Sequence, residues 1–226
     1  MSIIKDKSKY LAISILIGGK SSRFGSDKGL FKYLDKPLIS YQLDTLSQRN
    51  YDIFLVANSK RQAQNYINHI DIKGITGLII DENNVSPELK SHTPIIGLYS
   101  ASKELRSLPY EKLFVIACDT PFINSKVLEL LIKRSFGYDC CIPQWNNKFV
   151  EPLFAIYSIK KLFRKAKENL KDNNLKLSNL LDKCWKINYL SIENEIMLLD
   201  RNLLTFFNIN TPEDIEKLSK IQLDKI

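Results

Sequence analysis

With 226 residues, 44% of them hydrophobic and 26% charged, the chain has globular proportions and enough length for one domain with a sizeable core. No apolar run reaches the roughly 18 residues of a membrane helix, and no signal peptide with a cleavage site is visible, so a soluble, cytoplasmic protein without a membrane partner is expected. The net charge of +8 raises nucleic acid as a partner. However, Lys160, Lys161, Lys165 and Lys167 spread along a helical segment, and no zinc-finger spacing or RNP-type motif accompanies them. No nucleic-acid partner is therefore expected. A solvated lysine-rich surface fits better, with some attraction for a phosphorylated ligand.

In chain order, residues 1–10 are polar and predicted flexible. Ile13 to Ile17 is an apolar, β-branched run that stops at Gly18-Gly19, the pattern of a buried parallel strand entering a loop. Leu38 to Arg49 has helical periodicity, Ile53 to Ala57 reads as a second strand, and a polar helix follows from Lys60 to Asn68. Leu78 to Ile80 makes a short third strand ending at Asp81. Asp81 to Gly97 reads as loop, with Pro87 and Pro94, and loops this long are usually functional or mobile. Helix resumes over Leu98 to Leu105, a fourth strand covers Lys112 to Ala117, and Ser125 to Arg134 is helical. Cys140 to Gln144 and Phe149 to Tyr157 form two strands around the turn Trp145 to Lys148, an antiparallel addition. Helices at Ile159 to Leu170 and Leu175 to Leu181 precede strands at Trp185 to Leu190 and Phe206 to Asn210. Thr211-Pro212-Glu213-Asp214 opens a last helix with a capping residue, a first-turn proline and acids at the positive dipole end. Strands alternating with helices imply an α/β fold with a mostly parallel sheet and right-handed crossovers.

The four cysteines, Cys118, Cys140, Cys141 and Cys184, contain no C-x-x-C pair. Cys140 and Cys141 point to opposite faces of a strand, so buried reduced thiols are expected rather than disulfides or zinc.

The segment from Gly18 to Lys28 carries the chemistry. Glycines admit an anion close to the backbone, successive N–H groups form a concavity, and Arg23 and Lys28 add positive charge. Gly19-Lys20-Ser21 imitates the end of a Walker A loop, but Ser14 stands where its first glycine is required. The dinucleotide fingerprint fails too, since the glycines are adjacent. Asp119 ends an apolar strand in Cys118-Asp119-Thr120-Pro121-Phe122, at the edge where open α/β sheets bind ligands. Beside a phosphate loop it becomes a candidate hard-cation ligand. The plain alternative is a turn residue before Thr120-Pro121.

The string from Leu16 to Lys28 resembles the signature of the molybdenum cofactor guanylyltransferase family, L-A-G-G-x-S-x-R-M-G-x-D-K, with Ile17 for alanine and Phe24 for methionine. Lys36-Pro37-Leu38 also fits. The segment around Asp119 resembles the family's C-D-x-P-F/Y, and Thr93-Pro94-Ile95-Ile96-Gly97 its G-P-L-x-G with threonine for the first glycine. Asn208-Ile209-Asn210-Thr211-Pro212-Glu213-Asp214-Ile215 resembles N-x-N-T-P-E-D/E-L. The resemblance implies a single Rossmann-like domain of the nucleotide-diphospho-sugar transferase type over residues 1–226. It implies transfer of GMP from GTP to the molybdopterin-bound molybdenum cofactor, with Mg²⁺ held by Asp119 and transient contact with proteins that deliver or accept the cofactor. Leu16, Ile17, Gly18, Gly19, Lys28, Asp81 and Asp119 would bind the nucleotide, with Arg23 and Lys28 neutralising phosphates. Gly97, Asn208 and Asn210 would bind the second substrate, and Asn58 is given no contact. A related enzyme using CTP or a sugar phosphate, a nucleotide-binding regulator and a basic nucleic-acid-binding protein are the alternatives.

Overall fold

Four apolar runs line up as parallel neighbours in a seven-stranded sheet of order β5-β4-β1-β6-β8-β7-β9. The computed structural model describes residues 9–18, 27–81 and 93–223. Its strands are β1 (Lys9–Leu16), the two-residue hairpin β2 (Lys32–Tyr33) and β3 (Lys36–Pro37), β4 (Asp52–Ala57), β5 (Ile75–Ile80), β6 (Tyr110–Ala117), β7 (Cys140–Gln144), β8 (Phe154–Ser158) and β9 (Ile187–Ser191). The helices are α1 (Leu38–Ser47), α2 (Lys60–His69), α3 (Pro94–Leu105), α4 (Ser125–Ser135), α5 (Ile159–Lys171) and α6 (Pro212–Leu223). Only β8 runs against the other strands of the large sheet, pairing antiparallel with both β6 and β7.

Both faces of the sheet are covered, which is why its central strands are almost continuously apolar. Ile13, Ile15, Phe114 and Ile116 meet α1, α2 and α4 on one face. Ala12, Leu16, Leu113 and Val115 meet α3 and α5 on the other. Cys140 and Cys141 fall on opposite faces, as their adjacency requires, and Cys118 is also buried; all three thiols are free. Cys184 is exposed, against the expectation that all four would be buried. A third, smaller cluster joins Tyr33, Leu38, Ile209 and Leu218, and so seats the C-terminal segment beside the β2–β3 hairpin.

The structure corrects several element boundaries. Lys9 and Tyr10 belong to β1 rather than to a flexible lead; residues 1–8 lie outside the described residues. Helix α3 begins at Pro94, four residues before Leu98, because a proline at the first helical position loses no hydrogen bond. The strand expected from Phe149 starts only at Phe154, after Lys148 takes a left-handed conformation (φ 72°) and Phe154 N–H closes a turn on Glu151 O at 3.0 Å. Leu175 to Leu181 keeps only a 3₁₀ turn at Leu177–Leu180. Phe206 to Asn210 is not a strand: both edges of β6 are already taken by β1 and β8, so only Ile209 N–H reaches the end of that strand, donating to Asp119 O at 2.8 Å.

Candidate active site

The carboxyl ends of β1, β4, β5 and β6 converge. Ile17 N–H donates to Val56 O (2.9 Å), Asp81 N–H to Ala57 O (2.8 Å) and Cys118 N–H to Leu16 O (3.1 Å), so the ladder continues just past each strand. Leu16, Ile17, Gly18, Lys28, Pro94 and Asp119 are among the residues lining a pocket of about 190 Å³ there.

Lys28 opens a single 3₁₀ turn and leans across the pocket. Its Nζ donates to Asn210 Oδ1 at 2.5 Å and to Asp119 Oδ2 at 3.3 Å. The ion pair is half-buried, with the two side chains 29% and 21% exposed. Gly29 explains why the turn can sit so low: a Cβ there would lie 2.6 Å from Tyr66 Oη and 3.2 Å from Cys118 Cβ. Neither Gly29 nor Tyr66 stands out in the sequence. Only the adjacency of Gly29 to Lys28 could have suggested it.

Two carboxylates keep an oxygen in reserve. Asp119 Oδ1 and Asp81 Oδ1 are buried and have no hydrogen-bond partner among the described residues. Burial pushes the Asp81 carboxyl up to about 7, since charge is costly where water is excluded. Asp81 packs against two of the glycines: a methyl on Gly18 would lie 3.7 Å from Asp81 Oδ2, and one on Gly97 would lie 3.6 Å from Oδ1 and 3.1 Å from Leu16 Cδ2. Thr93, which stands where the resembling motif has glycine, also buries a hydroxyl without a partner.

The structure thus brings together Leu16, Ile17, Gly18, Lys28, Asp119 and Asn210, with Asp81 and Gly97 beside them. Asn208 does not join the Lys28 network; it is exposed, and its Nδ2 approaches Phe206 O at 3.4 Å. Gly19 and Arg23 lie outside the described residues. Asn58 touches Gly18 by position, at 3.6 Å from the methyl a side chain would add.

Among the described residues, no group of three or more His, Cys, Asp and Glu side chains could hold a metal ion. Asp119 with its free oxygen instead fits the way a hard divalent cation binds through one carboxylate, substrate phosphates and water. No helix among the described residues is long and apolar enough to cross a membrane.

A doubly covered sheet with a cation and a carboxylate facing each other at its parallel strand ends has the crevice in which α/β enzymes hold phosphorylated ligands. Residues 13–184 match the MobA-like NTP transferase domain, and the chain belongs to that family. It is 30% identical to the "Probable molybdenum cofactor guanylyltransferase" of Thermococcus gammatolerans over 211 residues, covering 92% of this chain and 98% of that one. It is 31% identical to the protein of the same description from Natranaerobius thermophilus, over 91% of this chain and 93% of that one. Among solved structures, molybdopterin-guanine dinucleotide biosynthesis protein A of Archaeoglobus fulgidus superposes with a TM-score of 0.73 at 26% identity. The match covers 94% of this chain and 99% of that one.

Proposed function

We propose that this protein transfers GMP from GTP to the molybdopterin-bound molybdenum cofactor, forming the guanine dinucleotide and releasing pyrophosphate, with the whole chain acting as one domain in the cytoplasm. The observation that carries this reading is the meeting of Lys28, Asp119 and Asn210 at the pocket. It joins a phosphate-seeking cation, a carboxylate with a spare oxygen and an amide from the C-terminal segment. Family membership and the named relatives support the guanine and pterin substrates.

The terminal phosphate of the pterin substrate attacks the α-phosphorus of GTP in line. One P–O bond forms there as the bond to the β-phosphate oxygen breaks and pyrophosphate leaves. Such a transfer depends on positioning and charge neutralisation more than on covalent help. Gly18 gives the phosphates access to backbone N–H groups, and Gly19 is assigned to the same nucleotide. Lys28 turns from Asp119 to the phosphates and balances the charge that builds on the leaving group, with Arg23 as a second cation. Asp119, whose Oδ1 is unpartnered among the described residues, would hold Mg²⁺, which would supply Lewis acidity when bound. Asp81 accepts from the nucleotide, and Gly97 leaves room for the second substrate. Asn210 and Asn208 face the pterin. Proteins that deliver or accept the cofactor would meet this open side.

The test is pyrophosphate release with GTP or CTP, Mg²⁺ and the molybdenum cofactor. Turnover with GTP supports the reading, and equal or faster turnover with CTP would move the protein to a cytidylyl transfer.

A further inference from the structure

We propose that Gln62 is a positioning residue that ties Ile17 to Asp27 and so sets where Lys28 presents its charge. The inference rests on the nucleotidyl-transfer reading above. Gln62 is 6% exposed, and every polar group of its side chain is engaged. Its Nε2 donates to Ile17 O at 2.9 Å and to Asp27 Oδ1 at 2.7 Å; its Oε1 accepts from Asn58 N–H at 2.9 Å. Ile17 immediately precedes Gly18-Gly19, and Asp27 immediately precedes Lys28. One amide nitrogen therefore ties the residue before the glycines to the residue before the lysine.

The clamp stands on a firm base. Gln62 lies in the first turn of α2, whose capping residue Ser59 accepts from Gln62 N–H at 3.2 Å. One turn further on, Asn65 Nδ2 donates to Asp27 Oδ2 at 3.1 Å, so both carboxylate oxygens of Asp27 are held by the same helix. Tyr66, buried beside them, backs Gly29. Helix α2 thus holds the two residues that flank Lys28, Asp27 by hydrogen bonds and Gly29 by close packing. None of Gln62, Asn65 or Tyr66 lines the pocket, so their influence passes through the residues they hold.

A buried amide that only satisfied strand ends would affect folding alone, and the experiment separates the two. Gln62→Glu keeps the shape, removes both N–H donors and sets a new carboxylate against Asp27. Adding Asp27→Asn gives that carboxylate an N–H to accept, while Ile17 O still lacks its donor. The measurements are the Kd and KM for GTP, the Kd for the pterin substrate, thermal stability, and hydrogen exchange in ligand-free protein of the peptide spanning residues 27–33, where Leu30 N–H donates to Asp27 O and Phe31 N–H to Lys28 O. For folded Gln62→Glu we expect GTP affinity to fall about tenfold with pterin affinity unchanged and exchange accelerated. Gln62→Glu/Asp27→Asn should recover GTP affinity to within about threefold of the original, since one of the two lost bonds returns. Asn65→Ala, a milder variant, gives the answer if Gln62→Glu does not fold: GTP affinity should fall about two- to threefold. Unchanged GTP affinity and unchanged exchange in these variants would overturn the clamp. If the unaltered protein binds no GTP, the functional reading falls, while exchange in the same variants still decides whether Gln62 holds Asp27 and the turn after it.

Discussion

In the half of the sheet formed by β5, β4, β1 and β6, all strands run one way. Their carboxyl ends lead into Asp81, Asn58, Ile17-Gly18 and Asp119. In the half formed by β8, β7 and β9, one strand is reversed, and only Leu153, just ahead of β8, reaches the pocket. Parallel pairing stacks like ends, so backbone groups and strand-end side chains converge in one crevice. A reversed strand presents its amino end there instead. The first half places chemistry, whereas the second supplies the buried wall that keeps β6 in register: Ile156 pairs with Phe114 and Ala155 with Val115, all of them fully buried.

The sharpest way to break this contrast is to damage each half separately. Ile156→Ala leaves a cavity in the wall and should cost about 2–5 kcal/mol of unfolding free energy. In protein that remains folded, kcat/KM should stay within about twofold, because no site residue has moved. Urea unfolding and steady-state kinetics on one preparation check both. Asp119→Asn is the reverse case. It keeps the side chain's shape and removes the charge, and its half-exposed pair with Lys28 contributes little to stability. Turnover should fall about a hundred- to a thousandfold with an almost unchanged melting curve. Near-native turnover, or a loss of stability as large as that of Ile156→Ala, would dissolve the division between wall and site.

Within the first half, Lys28→Ala should weaken GTP binding about ten- to a hundredfold, as loss of a charge-assisted contact predicts. Asn210 accepts a hydrogen bond from Lys28 directly, so the two residues proposed for the nucleotide and the pterin are coupled. Asn210→Ala leaves Lys28 its bond to Asp119, so GTP affinity should change by no more than about threefold while pterin affinity falls further. Titrating both ligands against both variants tests the coupling. Equal damage to GTP binding would mean that Asn210 orients Lys28 rather than the pterin.

What the sequence revealed follows the same boundary. The parallel strands were legible because strands buried on both faces are nearly all apolar, and Asp81 and Asp119 stood out because a charge follows each run. The antiparallel addition was legible as a break in the alternation, but not its start, since the turn at Lys148 and the Glu151–Phe154 bond depend on local backbone conformation. The extended tail around Asn208 looked like a strand because its residues alternate. That no edge of β6 was left for it is a property of the whole sheet. Gln62 was hidden for a related reason: in a polar helix, its partners at Ile17 and Asp27 are distant in sequence and adjacent only after folding.

A further effect concerns Asp81, whose burial makes a charge costly in the folded protein. Its carboxyl is raised to about 7 in the folded chain, from 3.8 when exposed in the unfolded one. Between those values the folded state binds the proton that the unfolded state has released, so stability falls as pH rises from about 4 to about 7 and is level above that. The full shift would correspond to about 4 kcal/mol, but relaxation of the fold around the charge lowers the effective cost, leaving about 1–2 kcal/mol. Asp81→Asn cannot ionise. Its amide adds an offset that does not vary with pH, so the informative quantity is the difference between variant and original across the range. That difference should shift in the variant's favour by about 1–2 kcal/mol between pH 4 and pH 7 and then stay constant. Urea unfolding of ligand-free protein at several pH values measures it. Curves that run parallel would show that Asp81 stays ionised in the fold, and that its unpartnered oxygen is solvated rather than held ready for the nucleotide.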